Sequence, residues 1–98
     1  MSGISVIATI TAAEGEGDAV AAALGEAAAS VAANEPGCHF YRIARSKDEP
    51  NVFKVLESYA DADAIAAHGS SDHFKALGRA LKGKLAGAPV VERYDTVA

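Results

Sequence analysis

Two histidines five positions apart are the clearest candidates for chemistry in this sequence. His68 and His73 flank the segment Gly-Ser-Ser-Asp, which lies at the predicted junction of two helices. A histidine that points into a cleft there could move protons, because its unperturbed pKa is about 6.5. Alternatively, one ring caps a helix and the other is exposed. A metal site fits poorly, since helical metal pairs are usually four residues apart and no cysteine or further histidine completes the shell.

Glu57 is the one charged residue on a strand face that otherwise has a buried pattern. It shares this face with Phe53, Val55 and Tyr59, because alternate side chains of a strand point the same way. A buried carboxylate is costly unless it is paired or hydrogen-bonded. Glu57 therefore either forms a structural salt bridge that fixes the turn between helices or orients a catalytic histidine.

Aromatic and aliphatic residues could form the wall of a pocket between sheet and helices. The candidates are Tyr41, Tyr59, Phe74 and Leu77. In a chain of 98 residues such side chains also belong to an ordinary core. Cys38 has no cationic cluster beside it, so we interpret it as a packing residue and not as a nucleophile.

Seven elements are predicted to position these residues, in the order β-α-β-β-α-α-β. The strands are predicted at residues 4–11, 38–46, 52–59 and 90–97. The helices are predicted at residues 19–33 and 61–68, and from residue 70 or 71 to about 85. This order is the split β-α-β arrangement of a ferredoxin-like α+β fold, an antiparallel sheet with helices on one face.

The other face of this sheet is predicted to be bare and partly apolar. Phe40, Val52 and Leu56 should point there together with the polar Arg42 and Lys54. Such a face on a small domain predicts a partner subunit that covers it. Two of these sheets packed face to face would form a barrel-like homodimer.

Size and composition limit the classes of function. The 98 residues are half apolar and 22% charged, which is typical of one globular domain over residues 1–98. The formal net charge of −4 argues against a nucleic-acid partner. A single cysteine suits a reducing compartment, and we find no signal peptide or membrane-spanning run. We therefore expect a cytoplasmic protein with no membrane partner.

Several segments resemble the antibiotic biosynthesis monooxygenase (ABM) domain. The most specific part is Ala67-His68 followed by Ser71-Asp72-His73-Phe74, after the strand segment Glu57-Ser58-Tyr59. The remaining matches run almost from end to end: Pro36-Gly37-Cys38, Tyr41, Arg45, residues 48–53, Gly87-Ala88-Pro89 and Tyr94. The resemblance implies a ferredoxin-like domain that forms a dimeric α+β barrel with a pocket in each subunit.

The resemblance also implies a chemistry. The best-studied members oxygenate quinols, anthrones and related phenols with O2 and use no metal or flavin, since an electron-rich phenolate can itself hand an electron to O2. We therefore expect a monooxygenase without cofactors, whose partners are a small aromatic substrate and O2. His68 or His73 would be the base and Glu57 its orienter. The pocket wall would comprise Tyr41, Tyr59 and Phe74.

Two other functions are compatible with the same residues. A related branch with a similar His-x4-His-aromatic segment isomerises a phosphorylated quorum signal, so a proton-transfer isomerase of a keto-hydroxy compound is one alternative. A non-catalytic dimeric module that binds a metabolite is the other. Haem degradation is not expected, because the chain has no tryptophan and residues 4–11 lack the asparagine that haem-degrading relatives use.

Overall fold

Alternating apolar residues in four segments produce one antiparallel sheet. The computed structural model describes residues 3–98, with strands β1 (Ile4–Thr11), β2 (Cys38–Arg45), β3 (Val52–Tyr59) and β4 (Val90–Asp95). Their order across the sheet is β2-β3-β1-β4, and each neighbouring pair is antiparallel. The predicted ferredoxin-like α+β fold is confirmed.

Three helices pack on one face of the sheet: α1 (Gly17–Asn34), α2 (Ala62–Gly69) and α3 (Asp72–Leu81). The many alanines of α1 favour a helix, and their small side chains allow it to lie close to the strands. Val20 and Leu24 of α1 are completely buried against Phe53 and Val55 of β3. Over residues 3–98, no helix is both long enough and apolar enough to cross a lipid bilayer.

The register of the strands decides which polar side chains face the helices. Val6 of β1 pairs with Glu57 of β3 on one side and with Arg93 of β4 on the other. Glu57 pairs in turn with Tyr41 of β2. Directly paired residues project from the same face of a sheet, so these side chains form one row on the helix-covered face.

The opposite face of the sheet keeps large apolar side chains exposed to solvent. Leu56 pairs there with Ile7 on one side and with Arg42 on the other. Leu56 is 37% exposed and Phe40 is 44% exposed, which is high for residues of this size in a strand. The sheet therefore has one face in the core and one partly apolar face in contact with water.

Helix α3 ends earlier than its apolar spacing predicts. The spacing predicts a helix to about residue 85, but α3 ends at Leu81, and Gly83 adopts a φ of 77°. Glycine enters this region of backbone conformation at little cost, and such a residue commonly ends a helix. Leu85 instead forms an antiparallel bridge with Ala12, so this segment is extended. Every other predicted element agrees with the structure to within two residues at each end.

Candidate active site

A cavity of about 730 Å³ lies between the helix-covered face of the sheet and helices α2 and α3. Its volume is in the range of small-molecule binding sites. Six of the seven site residues predicted from the sequence line it: Tyr41, Glu57, Tyr59, His68, Phe74 and Leu77. The seventh, His73, lies elsewhere, as described below.

Residues that the sequence analysis did not single out complete the cavity. Aliphatic side chains line the end formed by β1, β4 and the segment before β4: Val6, Ala8, Leu85, Pro89 and Val91. Lys82 and Arg93 are the charged residues at this end. The place of Val91 and Arg93 in the cavity depends on the pairing of β4 with β1, which no local pattern in the sequence specifies.

His68 occupies the last turn of α2, and its side chain is only 10% exposed. Its ring centroid lies 5.1 Å from that of Phe74, 5.4 Å from Tyr41 and 5.6 Å from Tyr59. The rings meet at tilted or edge-on angles, which aromatic pairs prefer. These contacts restrict the orientation of the imidazole and place it in the wall of the cavity.

The Nδ1 atom of His68 lies 2.9 Å from Oε2 and 3.1 Å from Oε1 of Glu35. A carboxylate at this position favours the tautomer with its proton on Nδ1, which leaves the lone pair on Nε2. Nε2 has no hydrogen-bond partner among residues 3–98. Every fully buried side-chain nitrogen or oxygen of these residues does have a partner, so Nε2 is not fully buried. Nε2 is therefore accessible, and the ring that carries it lines the cavity.

Glu35 takes the place that the sequence analysis gave to Glu57. Glu57 instead accepts a hydrogen bond of 2.6 Å from the hydroxyl of Tyr59. Burial raises the pKa of Glu57, although the hydrogen bond from Tyr59 and the neighbouring His68 partly oppose this effect. The site thus contains two acid–partner pairs, Glu35 with His68 and Glu57 with Tyr59.

Sequence reasoning missed Glu35 because it forms part of the turn that ends α1. Glu35 is the C-cap residue of this helix, and its backbone N–H donates to the carbonyl of Val31. One signal could have identified it. A negative charge at the C-terminal end of a helix opposes the helix dipole, so helix stability does not explain this residue.

His73 lies in the first turn of α3, and its Nε2 contacts the same Oε2 atom of Glu35. Its ring does not line the large cavity. It lies in a second, outer groove of about 500 Å³, which Glu35, Cys38 and Asp72 also line. The two predicted histidines are therefore joined through one carboxylate but face different spaces.

The turn between α2 and α3 holds both histidines in position. The hydroxyl of Ser71 donates to the carbonyl of His68 at 2.7 Å. As the N-cap of α3, this hydroxyl also accepts a hydrogen bond from the backbone N–H of Phe74 at 3.2 Å.

The loop after α1 lies close to α2 on the other side of the network. A Cβ atom added at Gly37 would lie 2.7 Å from the Cβ of Ala64. The loop that carries Glu35 is thus packed closely on α2.

Glu35, His68 and His73 also have the composition of a metal site, with candidate ligand atoms within 4.8 Å of one another. Ligand atoms around a tetrahedral zinc lie about 3.4 Å apart, given metal–ligand distances of about 2.0–2.1 Å. Oε2 of Glu35 is closer than this to both rings, at hydrogen-bonding contact. The carboxylate would have to withdraw before an ion could bind, so the arrangement as it stands is a hydrogen-bonded network.

The thiol of Cys38 and the hydroxyls of Tyr41 and Tyr59 stay protonated near neutral pH. Burial, followed by the negative charges of Glu35 and Glu57, raises the pKa of the Cys38 thiol to about 11. Such a thiol is a poor nucleophile, in keeping with a packing role. Burial and the neighbouring Glu57 also raise the pKa of Tyr41 and Tyr59, so both hydroxyls remain hydrogen-bond donors.

Known proteins are similar to this chain in sequence and in structure. The sequence model of the family "Antibiotic biosynthesis monooxygenase" matches residues 3–80. The crystal structure of a "putative antibiotic biosynthesis monooxygenase" from Caulobacter crescentus has 44% sequence identity and a TM-score of 0.93, over 99% of this chain and 92% of that one. A protein from Pseudomonas aeruginosa has 26% identity and a TM-score of 0.90, over 100% and 97% of the two chains. No curated protein matches the sequence.

Proposed function

Because the chain belongs to the antibiotic biosynthesis monooxygenase family, we propose that it is a cofactor-independent monooxygenase that oxidises a small quinol- or anthrone-type aromatic with O2. One observation carries the proposal. The ring of His68 lies in the wall of a mainly apolar cavity, its Nδ1 is held by Glu35, and its Nε2 is accessible. This is the arrangement that a general base needs.

The cavity suits a flat aromatic substrate. The rings of Tyr41, Tyr59 and Phe74 surround His68 and offer faces and edges on which a substrate ring can pack. Leu77 and Val91 add aliphatic surface. An apolar wall excludes water, which strengthens the interaction between the substrate anion and the base. The hydrogen-bonded pair of Glu57 and Tyr59 offers a polar contact for a substrate oxygen.

In the proposed reaction, Nε2 of His68 takes a proton from the substrate. The electron-rich anion passes one electron to O2, and the resulting radicals combine in a new C–O bond to give a peroxide. Cleavage of the O–O bond leaves one oxygen atom in the product as a carbonyl oxygen. The other oxygen leaves as water with the two hydrogens that the substrate loses, so the substrate supplies all the electrons and no further reductant is needed.

We also propose that the protein acts as a homodimer. The support is the outer sheet face, on which apolar side chains of three strands lie in contact with water: Phe40, Leu56, Val90 and Tyr94. Burial of such a patch against a second copy is favourable, at roughly 25 cal/mol for each Å² of apolar surface removed from water.

Oxygen consumption tests the function directly. Metal-stripped protein is mixed with a panel of quinols and anthrones, and we expect uptake above the spontaneous rate. His68→Ala should lower this uptake by about 10²–10⁴-fold, the usual contribution of a general base. His39→Ala is the matched control, because His39 is exposed and lines neither cavity nor groove. Uptake at the spontaneous rate across the panel would contradict the proposal and leave proton-transfer isomerisation or binding alone as the role of the cavity.

A further inference from the structure

The polar side chains of the site form a continuous connection from the cavity to the outer groove. His68 lines the cavity, His73 lines the groove, and Glu35 lies between the two rings. We propose that Glu35 and His73 couple His68 to solvent, so that His73 releases a proton into the groove when His68 takes one from the substrate. The inference rests on the proposed function and adds to it the route of proton exchange.

Both links of the connection are direct contacts. Nδ1 of His68 lies 2.9 Å from Oε2 of Glu35, and Nε2 of His73 contacts the same oxygen. The three side chains, Glu35, His68 and His73, are only 8%, 10% and 16% exposed. Water therefore screens the charges inside the network weakly, and a change of charge on one ring is felt by the other.

The charge balance of the network gives the coupling its direction. The single carboxylate of Glu35 neutralises one imidazolium, and a second positive ring beside it would be uncompensated in a poorly solvated site. When His68 accepts the substrate proton at Nε2, its positive charge favours loss of the proton that His73 holds. The free nitrogen of His73 is Nδ1, since Nε2 contacts Glu35, and the groove is where the ring meets water.

The same steps run in reverse in the second half of the reaction. Protonated His68 gives its proton to the peroxide oxygen that leaves as water, and His73 takes a proton back from the groove. Over one turnover the protein neither gains nor loses a proton. His73 is a positioning residue in this scheme, because it acts through Glu35 and does not touch the substrate.

The other titratable and charged groups around the two rings do not offer an equivalent route. Those that line the cavity with His68 are Tyr41, Glu57, Tyr59, Lys82 and Arg93; those that line the groove with His73 are Cys38 and Asp72. Burial keeps the two tyrosines and the thiol protonated, and Glu57 is engaged by Tyr59. Asp72 is exposed at the start of α3 and makes no ion pair with either ring within residues 3–98.

Nitrogen-15 NMR of the histidine rings tests the coupling without any substrate. In the wild-type protein we expect the ring signals of His68 and His73 each to follow two steps in a pH titration, as interacting sites do. In His73→Asn, the His68 signal should follow a single step at higher pH, because the competing positive charge is gone. A single step for His68 in the wild type, unchanged in His73→Asn, would overturn the inference even if no substrate were turned over.

Glu35→Gln keeps the experiment decisive if His73→Asn does not fold. Here the His68 step should move to lower pH, since the compensating charge is lost. The rate of oxygen uptake then gives a second readout. The rate of His73→Asn should be lower than that of the wild type by about 10-fold or more at the acid end of the pH profile, and within about 2-fold of it at the alkaline end. An equal loss at every pH would indicate a structural role only and would refute the coupling, while His39→Asn should leave the profile unchanged.

Discussion

The carboxylate of Glu35 lies 2.9 Å from Nδ1 of His68, although 33 positions separate the two residues in the chain. This contact joins the end of α1 to the last turn of α2, and it leaves Nε2 as the free nitrogen of a ring that lines the cavity. The second buried carboxylate, Glu57, lines the same cavity but accepts a hydrogen bond from Tyr59. The two acidic residues therefore have different expected roles, which mutation can separate.

Glu35→Gln should lower the rate constant of turnover, and Glu57→Gln is the matched control. The amide nitrogen of the new side chain can donate to Nδ1 of His68, which would place the ring proton on Nε2 and remove the base. We expect kcat to fall by about 10–100-fold, the range known for carboxylates that orient a metal-binding histidine. KM should change little, because Glu35 does not line the cavity. A larger loss of kcat in Glu57→Gln would contradict this assignment.

Glu57 should make the stability of the protein depend on pH. Its pKa is raised in the folded state from 4.5, mainly by burial, so the folded protein binds this proton more tightly than the unfolded chain. The contribution to stability is therefore fully present below the unfolded pKa and is lost as the pH rises through the folded pKa. Glu57→Gln, which stays neutral, should have a higher Tm than the wild type at pH 7 and no such advantage at pH 3.

Thermal unfolding between pH 3 and pH 8 measures this effect. A difference of about 1 kcal/mol corresponds to a Tm shift of about 4–8 °C for a domain of this size. Glu26→Gln is the control, because Glu26 is an exposed carboxylate on α1. A Tm difference between Glu57→Gln and the wild type that is the same at every pH would show that ionisation of Glu57 is not its cause.

Ser71→Ala should destabilise the junction that carries both histidines. The substitution removes the N-cap of α3 and the hydrogen bond to the carbonyl of His68. We expect a loss of about 1 kcal/mol in the free energy of unfolding, measured by chemical denaturation. Ser70→Ala is the neighbouring control: its exposed hydroxyl bonds only to carbonyls of its own helix, so its loss should cost less than about 0.5 kcal/mol. Equal losses in the two variants would argue against the capping role.

The proposed dimer predicts a specific effect at the outer sheet face. Sedimentation velocity should show a dimer at micromolar concentration for the wild type and a monomer for Leu56→Asp, since a charge would be buried in the interface. Val97→Asp should remain dimeric, because Val97 is 95% exposed and lies outside the strands. A wild-type protein that is monomeric at this concentration would refute the dimer while leaving the cavity and its chemistry in place.

The sequence by itself determined the elements of the fold and identified six of the residues that line the cavity. Strands and helices follow from local periods of two and 3.6 residues, so the boundaries of β1 and β3 were predicted without error. Tyr41, Tyr59 and His68 were identified for the same reason: their types and their places on these elements put them on the inner face. Family resemblance then supplied the expected chemistry.

Only the tertiary structure decided which carboxylate meets the histidines and which space each histidine faces. Glu35 follows a predicted helix and Glu57 lies within a predicted strand, and nothing local determines how far each carboxylate lies from His68. The choice depends on how closely the loop after α1 packs on α2, which the close approach of Gly37 to Ala64 permits. Local patterns specify the direction of a side chain along its own element. The contact between side chains on different elements depends on the packing of the whole fold.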